Sequence, residues 1–273
     1  MPLVTFNDIL PQARHDKRAV AAFNVANLET VLSVFKAAEA ERSPVIIQVY
    51  QRLFKDERAA LVAAMTARLA AKSEIPVALH LDHGESLDQI RQAISIGYTS
   101  VMIDGSKLSF ADNIALTAEA AKIAHDAGVT LEAEIGHVPF GDGDIELSTV
   151  DEAEAFVSQT GVDALAISIG TVHGFYKKAP VLDIARASEI GNKVAIPLVL
   201  HGGTGVPEDQ LKRAVGCGVA KVNIATELQN AFLKGVAAEI AVNGDTFKPL
   251  DLYFKPAEQK VFDFVRAKIH GMK

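Results

Sequence analysis

The sequence has 273 residues, of which 49% are hydrophobic and 22% are charged. This composition is ordinary for a globular chain with a sizeable core, and it predicts a single domain over residues 1–273. There are 27 Lys and Arg residues against 34 Asp and Glu residues, a net charge of −7. The absence of a basic block argues against a nucleic-acid surface. The single cysteine, Cys217, excludes an internal disulfide and a cysteine-based zinc module.

The first twenty residues carry several charged side chains and therefore lack the uninterrupted apolar core of a signal peptide. No apolar stretch of the sequence approaches the about 18 residues that a membrane-spanning helix needs. We therefore expect a cytoplasmic protein that binds neither nucleic acid nor membrane.

Short apolar runs rich in β-branched residues alternate along the chain with longer segments of helical periodicity. The predicted strands are Val20–Asn24, Val45–Tyr50, Val77–Asp82, Ser100–Asp104, Thr130–Gly136, Ala164–Ile169, Leu198–Gly202 and Ala220–Ile224. Their first residues are about 29 positions apart, which is the length of a βα unit. Eight such units in about 250 residues predict an α/β fold, the (β/α)8 TIM barrel. A doubly wound sheet is the main alternative, but the glycine-rich turn expected after its first strand is absent.

Glycines and the C-terminal residues complete this prediction. Four glycines that follow helical segments are predicted to end those helices in a left-handed conformation: Gly97, Gly128, Gly161 and Gly191. Residues 241–273 are predicted to be a C-terminal helical extension with a final helix near 256–270, packed against another subunit.

Polar residues of the kinds used in catalysis lie at or near the carboxyl ends of the predicted strands. They are Asn24, Asp82, His83, Asp104, Glu132, Glu134, His173, His201 and Asn223. In a TIM barrel these ends meet at one mouth, where the catalytic groups of this architecture lie. The fold thus predicts that residues distant in sequence form one site.

Three histidines at predicted mouth positions suggest a metal site: His83, His173 and His201. Three imidazoles with a fourth position open to water or substrate are typical of catalytic zinc. His137, just after the fifth strand, is an alternative ligand that spacing alone does not exclude. His80 shares its parity with Asp82, so it is either a histidine of the barrel interior or a partner of the site.

Two loops have the composition of a phosphate-binding site. His201-Gly202-Gly203-Thr204-Gly205 follows the seventh strand, and Asn223-Ile224-Ala225-Thr226 follows the eighth. Glycine lets backbone N–H groups approach an anion closely, and the next helix adds its positive N-terminus. The loops after strands 7 and 8 often bind phosphate in this fold.

Six motifs, in order, resemble the class II, zinc-dependent ketose-bisphosphate aldolases, the fructose- and tagatose-bisphosphate aldolases. They are Ala22-Phe23-Asn24-Val25, Leu79-His80-Leu81-Asp82-His83-Gly84, Leu131-Glu132-Ala133-Glu134-Ile135-Gly136, Gly170-Thr171-Val172-His173-Gly174, His201-Gly202-Gly203-Thr204-Gly205-Val206-Pro207 and Lys221-Val222-Asn223-Ile224-Ala225-Thr226-Glu227-Leu228. The resemblance extends from about residue 3 to 240, and the Ala-Thr-Glu-Leu tetrad is most similar to the tagatose-type branch.

The resemblance implies an enzyme of the aldehyde-lyase class. Its reaction would be reversible cleavage of a phosphorylated ketose, such as fructose or tagatose 1,6-bisphosphate, to dihydroxyacetone phosphate and an aldehyde such as glyceraldehyde 3-phosphate. It also implies one catalytic Zn²⁺, a possible second metal site, activation by a monovalent cation (Na⁺ or K⁺), and a homodimer or homotetramer.

The same resemblance implies roles for individual residues. His83, His173 and His201 match the zinc ligands, and Asp104 and Glu134 match a second or alternative metal position. Asp82 matches the catalytic acid that handles the hydroxyl proton. The residues that match those holding dihydroxyacetone phosphate are Gly174, Gly202, Gly203, Thr204, Asn223, Ile224, Ala225 and Thr226. Asn24, at the end of the first strand, is a further candidate for substrate binding.

The loop after the fifth strand departs from the family pattern. Its usual Gly-Gly-x-Glu-Asp sequence is replaced here by His137-Val138-Pro139-Phe140-Gly141-Asp142-Gly143-Asp144. Asp142 or Asp144 is a candidate for the base that exchanges the proton on the nucleophilic carbon; the alternative is a polar surface turn. His137 could also crowd the site or take over this proton step. The departure leaves the aldehyde partner open.

Two other functions are compatible with parts of the sequence. A Schiff-base aldolase needs a desolvated lysine, but Lys221 opens the eighth strand, at the end away from the mouth. A non-catalytic barrel subunit that supports a partner aldolase is the second alternative. Loss of one of the three mouth histidines would be expected of such a subunit, and all three are present.

Overall fold

The eight predicted strands form a closed parallel barrel in a computed structural model, which describes residues 2–141 and 143–273. The strands are β1 Val20–Asn24, β2 Val45–Tyr50, β3 Val77–Gly84, β4 Ser100–Ile103, β5 Thr130–Ile135, β6 Ala164–Ile167, β7 Leu198–Leu200 and β8 Val219–Ile224. Each strand pairs with its neighbours in sequence, and β8 pairs with β1 to close the ring. The predicted TIM barrel is therefore confirmed.

Helices cover the outside of the barrel. They are α1 Leu10–His15, α2 Leu28–Ala40, α3 Arg58–Ala70, α4 Leu87–Ser95, α5 Phe110–Asp126, α6 Val150–Thr160, α7 Ile184–Lys193, α8 Glu208–Gly216, α9 Thr226–Asn243, α10 Leu250–Tyr253 and α11 Lys255–Gly271. Helix α11 is the predicted final helix, and it packs against α2 and α9 of its own chain. Its contact with another subunit stays a prediction. None of these helices, within the described residues, is long and apolar enough to cross a membrane.

The N-terminal segment closes the barrel at the end opposite the mouth. Phe6, Ile9 and Leu10 are buried there in a cluster with Val20 and other apolar residues of the barrel interior. Because apolar side chains fill this end, the polar residues of the interior are concentrated toward the carboxyl ends of the strands.

Three of the four helix-ending glycines are confirmed, and the fourth prediction is wrong. Gly97, Gly128 and Gly161 have φ values of 93°, 71° and 69° and follow helices α4, α5 and α6. Gly191 instead lies inside α7. A Cβ at this position would collide with the backbone carbonyl of Cys217, so glycine is required here for close approach and not for a left-handed turn.

This close contact makes Gly191→Ala a test of helix packing in the barrel. We expect it to lower the free energy of unfolding by about 1–3 kcal/mol, because a backbone group must move to admit the methyl group. Gly216→Ala is the matched control, since Gly216 is also helical and a Cβ there meets no atom within 4 Å. The Gly216→Ala substitution should raise the free energy of unfolding by about 0.5–1 kcal/mol, because alanine loses less conformational freedom than glycine when a helix forms. Equal effects in denaturant titrations would contradict this account.

Candidate active site

Three histidine rings come together at the mouth of the barrel. The ring centroids of His83 and His201 are 4.7 Å apart, those of His83 and His173 are 5.1 Å apart, and those of His173 and His201 are 5.8 Å apart. One nitrogen from each ring lies within 4.8 Å of the other two. The structure thus brings together residues supplied by β3 and by the loops after β6 and β7.

The local backbone explains how His83 reaches this position. Strand β3 pairs irregularly with β4 between Leu81 and Gly84, and His83 has a φ of 53°. A side chain in this left-handed region is strained, and such strain is concentrated at functional sites. Adjacent side chains of a regular strand point to opposite faces of the sheet. Because the backbone kinks here, the side chains of both Asp82 and His83 reach the mouth of the barrel.

Each ring has one nitrogen occupied and one directed at its neighbours. The occupied nitrogens are Nδ1 of His83, bonded to Asp104 (2.7 Å), Nδ1 of His173, bonded to the Val138 carbonyl (3.0 Å), and Nε2 of His201, bonded to Glu132 (3.0 Å). Among the described residues, Nε2 of His173 is buried without a hydrogen-bond partner, and Nδ1 of His201 is buried with Oε2 of Glu134 2.8 Å away. Acceptors on the far side fix the tautomer of a metal-binding histidine, so this donor set fits a divalent cation such as zinc.

The electrostatics of the rings are consistent with this assignment. Burial and the neighbouring histidines lower the pKa of His173 to about 3, so its ring is neutral, the form that binds a metal. Burial also opposes charge on His201, but Glu132 and Glu134 raise its pKa to about 10. These two carboxylates favour positive charge at His201, which either a second ring proton or a divalent cation at Nδ1 would supply.

The two carboxylates assigned to a second metal position both border the histidines. Asp104 accepts a hydrogen bond from His83, and this contact outweighs burial and lowers the pKa of the carboxyl. Glu134 accepts from the Val138 amide through Oε1 (3.2 Å), and its Oε2 lies 2.8 Å from Nδ1 of His201. Their role as ligands of a second metal stays a prediction.

Asp82 is held in place by two side-chain amides. Its Oδ2 accepts from Asn24 (2.7 Å), and its Oδ1 accepts from Asn223 (3.1 Å) and lies 4.0 Å from Nε2 of His83. Asn24 is itself oriented, because its oxygen accepts from the amide of Gln48 (2.6 Å). Burial works against ionisation of Asp82, but the neighbouring cationic groups keep its pKa below the ordinary value. The result is a buried carboxylate with a fixed direction.

Gln48 is a part of the site that the sequence reasoning missed. It is fully buried on β2, where all of its neighbours from Val45 to Val49 are apolar. A single polar residue within an otherwise apolar strand was the feature of the sequence that could have identified it as a site residue. Its position opposite Asn24 follows from the register of β1 and β2.

A cavity of about 150 Å³ opens beside these groups. Its lining residues are Asn24, Tyr50, Asp82, Phe140, His173, Gly174, Gly202, Thr204, Asn223, Ala225 and Thr226. Most of the predicted substrate-binding residues are among them. Gly203 and Ile224 are not: the Gly203 amide donates to the Asn223 carbonyl (3.1 Å), and the Ile224 side chain belongs to the core outside the barrel. Tyr50 and Phe140 were not predicted.

The glycine-rich loop after β7 is held in place by a hydrogen bond from the loop after β6. The Tyr176 hydroxyl donates to the Gly202 carbonyl (2.9 Å) and accepts from the Val172 amide (3.0 Å). Gly202 has a φ of 65°, and a Cβ there would collide with the Val172 carbonyl. Helix α9 begins at Thr226, so its positive N-terminus faces the same cavity. Such a combination binds phosphate groups.

The divergent loop after β5 lies against His173. The His173 amide donates to the Pro139 carbonyl (2.7 Å), and the ring of Phe140 packs on the His173 ring at 4.8 Å between centroids. Nδ1 of His137 lies 3.2 Å from the Ser106 hydroxyl, and His137 is not one of the three convergent histidines. Asp144 is exposed. Asp142 lies outside the described residues.

Comparison with known proteins gives consistent matches over the whole chain. Residues 4–273 match the family model described as fructose-bisphosphate aldolase class-II. A probable fructose-bisphosphate aldolase of Bacillus subtilis (strain 168) is 39% identical over 280 residues, covering 98% of this chain and 97% of that protein. A 6-phospho-5-dehydro-2-deoxy-D-gluconate aldolase of Bacillus velezensis is 39% identical over 279 residues, covering 98% and 95%. The crystal structure of the YdjI aldolase from Escherichia coli K12 superposes with a TM-score of 0.88 at 33% identity, covering 99% and 97%.

Proposed function

Because the chain belongs to the fructose-bisphosphate aldolase class II family, we propose that it is a zinc-dependent aldolase acting on a phosphorylated ketose. Its substrate resembles fructose or tagatose 1,6-bisphosphate, and its products are dihydroxyacetone phosphate and an aldehyde such as glyceraldehyde 3-phosphate. The observation that carries this proposal is the convergence of three imidazole nitrogens beside the buried carboxylate of Asp82, at a cavity bordered by glycine loops.

Cleavage of a carbon–carbon bond β to a ketone leaves negative charge on the ketone fragment. A bound Zn²⁺ supplies a Lewis acid for that charge. His83 and His173 would hold it through Nε2 and His201 through Nδ1, since the other nitrogen of each ring is bonded to a protein oxygen. The three protein ligands leave a position for the substrate.

Asp82 performs the proton transfer at the hydroxyl group. In the cleavage direction its carboxylate takes the proton of the hydroxyl on the carbon that becomes the aldehyde, and in the synthetic direction it returns that proton. Asn24 and Asn223 each donate to one oxygen of this carboxylate, so both oxygens are oriented before substrate arrives.

The glycine loops and the start of α9 bind the phosphate of the ketone half. Gly174, Gly202 and Thr204 border the cavity from one side, and Thr226 borders it from the other. A phosphate fixed there positions the reacting carbons and supplies binding energy remote from the bond that breaks.

A separate base exchanges the proton on the nucleophilic carbon, and we assign this step to Asp142, with Asp144 as the alternative. The loop that carries both runs past His173 and places Phe140 on the wall of the cavity. Relatives of equal identity are named for aldolases of different substrates.

We also propose a cytoplasmic location, together with the remaining properties that the family resemblance implied: a homodimer or homotetramer, activation by Na⁺ or K⁺, and a second metal position at Asp104 and Glu134. Exposed apolar side chains on and after α9 support self-association. They are Leu233, Ile240, Val242, Phe247, Leu250 and Leu252.

The test is a cleavage screen of ketose phosphates with the purified chain. We expect dihydroxyacetone phosphate from fructose or tagatose 1,6-bisphosphate, detected by coupled reduction with NADH. Release of no dihydroxyacetone phosphate from any ketose phosphate by the zinc-loaded chain would overturn the proposal and favour the non-catalytic subunit.

A Schiff-base mechanism is tested in the same preparation with borohydride. We expect no covalent trapping, because the Lys221 amine is paired with Glu132 at 2.7 Å and does not line the cavity. Lys221 is nevertheless fully buried inside the barrel, a desolvated position that the sequence analysis did not foresee.

A further inference from the structure

A fully buried group of charged side chains lies in the barrel interior next to the histidine cluster. It consists of Glu132 on β5, Lys221 on β8 and His80 on β3. None of the three lines the cavity, so none is positioned to touch substrate. Burying a charge is costly unless it is paired, and the function proposed above gives Lys221 and His80 no role.

The carboxylate of Glu132 divides its two oxygens between two partners. Oε1 lies 3.0 Å from Nε2 of His201, and Oε2 accepts from the Lys221 amine at 2.7 Å. His80 lies nearby, with its Nε2 3.7 Å from Oε2, while its Nδ1 contacts the Ser100 hydroxyl at 3.0 Å. The carboxylate is therefore fixed by a cation on one side and directed at His201 on the other.

This arrangement determines which nitrogen of His201 faces the other histidines. Glu132 borders Nε2 of His201, and Oε2 of Glu134 lies 2.8 Å from Nδ1. A metal at Nδ1 would take the place of the Glu134 contact, and the ring proton would then stay at Nε2, where Glu132 accepts it. His83 and His173 instead present Nε2, because their acceptors lie at Nδ1. The orientation of His201 is thus opposite to that of its two neighbours, and it depends on the position of Glu132.

We propose that Lys221 is a positioning residue of the metal centre, which holds the Glu132 carboxylate in the orientation that makes His201 present Nδ1 to the metal. This inference depends on the proposed function in one respect, namely that the three histidines bind a metal ion. Without Lys221, Oε2 has no cation to anchor it, and the carboxylate is free to turn toward His80. His201 then loses the contact that fixes its tautomer and its ring orientation.

The alternative is that the Lys221–Glu132 pair only stabilises the fold. Replacing a buried ion pair with neutral side chains of similar size often leaves stability unchanged. A purely structural pair would then be replaceable without effect on metal affinity. Metal binding therefore separates the two roles, while thermal unfolding reports on the fold alone.

The experiment measures Co²⁺ binding to the metal-free full-length chain, using Co²⁺ as a spectroscopic substitute for zinc at a histidine site. Two variants are compared with the wild type: Lys221→Met, and Lys221→Met combined with Glu132→Gln, which also removes the unpaired buried charge. We expect both to bind Co²⁺ about 10–100-fold more weakly. Their visible spectra should change as well, since these report the ligand set.

The control is Lys193→Met combined with Glu154→Gln, which removes a Lys–Glu pair of 3.0 Å between α7 and α6. It should bind Co²⁺ as the wild type does. Wild-type affinity in either folded Lys221 variant would overturn the positioning role and leave the proposed function intact. Failure of the wild type to bind one Co²⁺ would overturn the metal centre and this inference with it.

Discussion

Chelation of the metal is expected to abolish ketose cleavage, and stoichiometric Zn²⁺ or Co²⁺ to restore it. In the proposed reaction the charge on the ketone fragment develops beside three histidines, each with one nitrogen within 4.8 Å of the other two. A Lewis acid contributes several kcal/mol to such a step, which corresponds to a loss of more than about a thousandfold in turnover. The measurement is dihydroxyacetone phosphate release after dialysis against chelator, followed by back-titration with metal.

A ligand variant should reproduce the effect of the chelator. His173→Ala removes a ring that is nearly buried, and we expect it to lose both metal and activity. His15→Ala serves as the control, since the His15 side chain is 82% exposed and its Nδ1 lies 3.0 Å from Asp16, away from the mouth histidines. Full activity of the wild type at far less than one metal ion per chain would rule out the proposed chemistry.

The positions of the site residues could be predicted because the architecture fixes them. Parallel strands in a barrel present their carboxyl ends at one mouth, so His83, His173 and His201 converge although up to 118 positions separate them. The prediction needed only the strand boundaries, and these came from apolar runs that are buried on both faces.

The partners of these residues could not be predicted in the same way. Alternation along a strand indicates that Gln48, Glu132 and Lys221 point into the barrel, but not how deep each one lies. Depth depends on the stagger between neighbouring strands, which is irregular at two places, between Leu81 and Gly84 and between Leu198 and Val199. The pairing of Lys221 with Glu132 is a product of that stagger.

Glycine was the other source of error, because one residue type serves two purposes. Gly161 ends α6 with a positive φ, as predicted. Gly191 was also predicted to follow a helical segment, but glycine is required there because the backbone of Cys217, 26 positions later in the chain, lies too close for a Cβ. The need for a left-handed residue at a helix end can be predicted from local sequence. The need for close approach between two segments is visible only in the packed structure.

Asp82→Asn is expected to lower the turnover number for ketose cleavage by about 10²–10⁴-fold, the range for loss of a general acid–base group. The substitution keeps the size of the side chain but removes the proton-accepting carboxylate. Metal content should not change, because no nitrogen of the three histidines depends on Asp82 for its hydrogen bond. Asp88→Asn is the control, since this carboxylate is 96% exposed at the start of α4.

Proton exchange on dihydroxyacetone phosphate separates the role of Asp82 from a general loss of the site. In the proposed reaction, exchange at the nucleophilic carbon uses the metal, the phosphate-binding loops and the base assigned to the β5–α6 loop, but it does not involve the aldehyde hydroxyl. We therefore expect Asp82→Asn to retain deuterium exchange within about tenfold of wild type while cleavage is nearly lost. Parallel loss of exchange and cleavage would show that Asp82 organises the site through Asn24 and Asn223 and is not the group that transfers the proton.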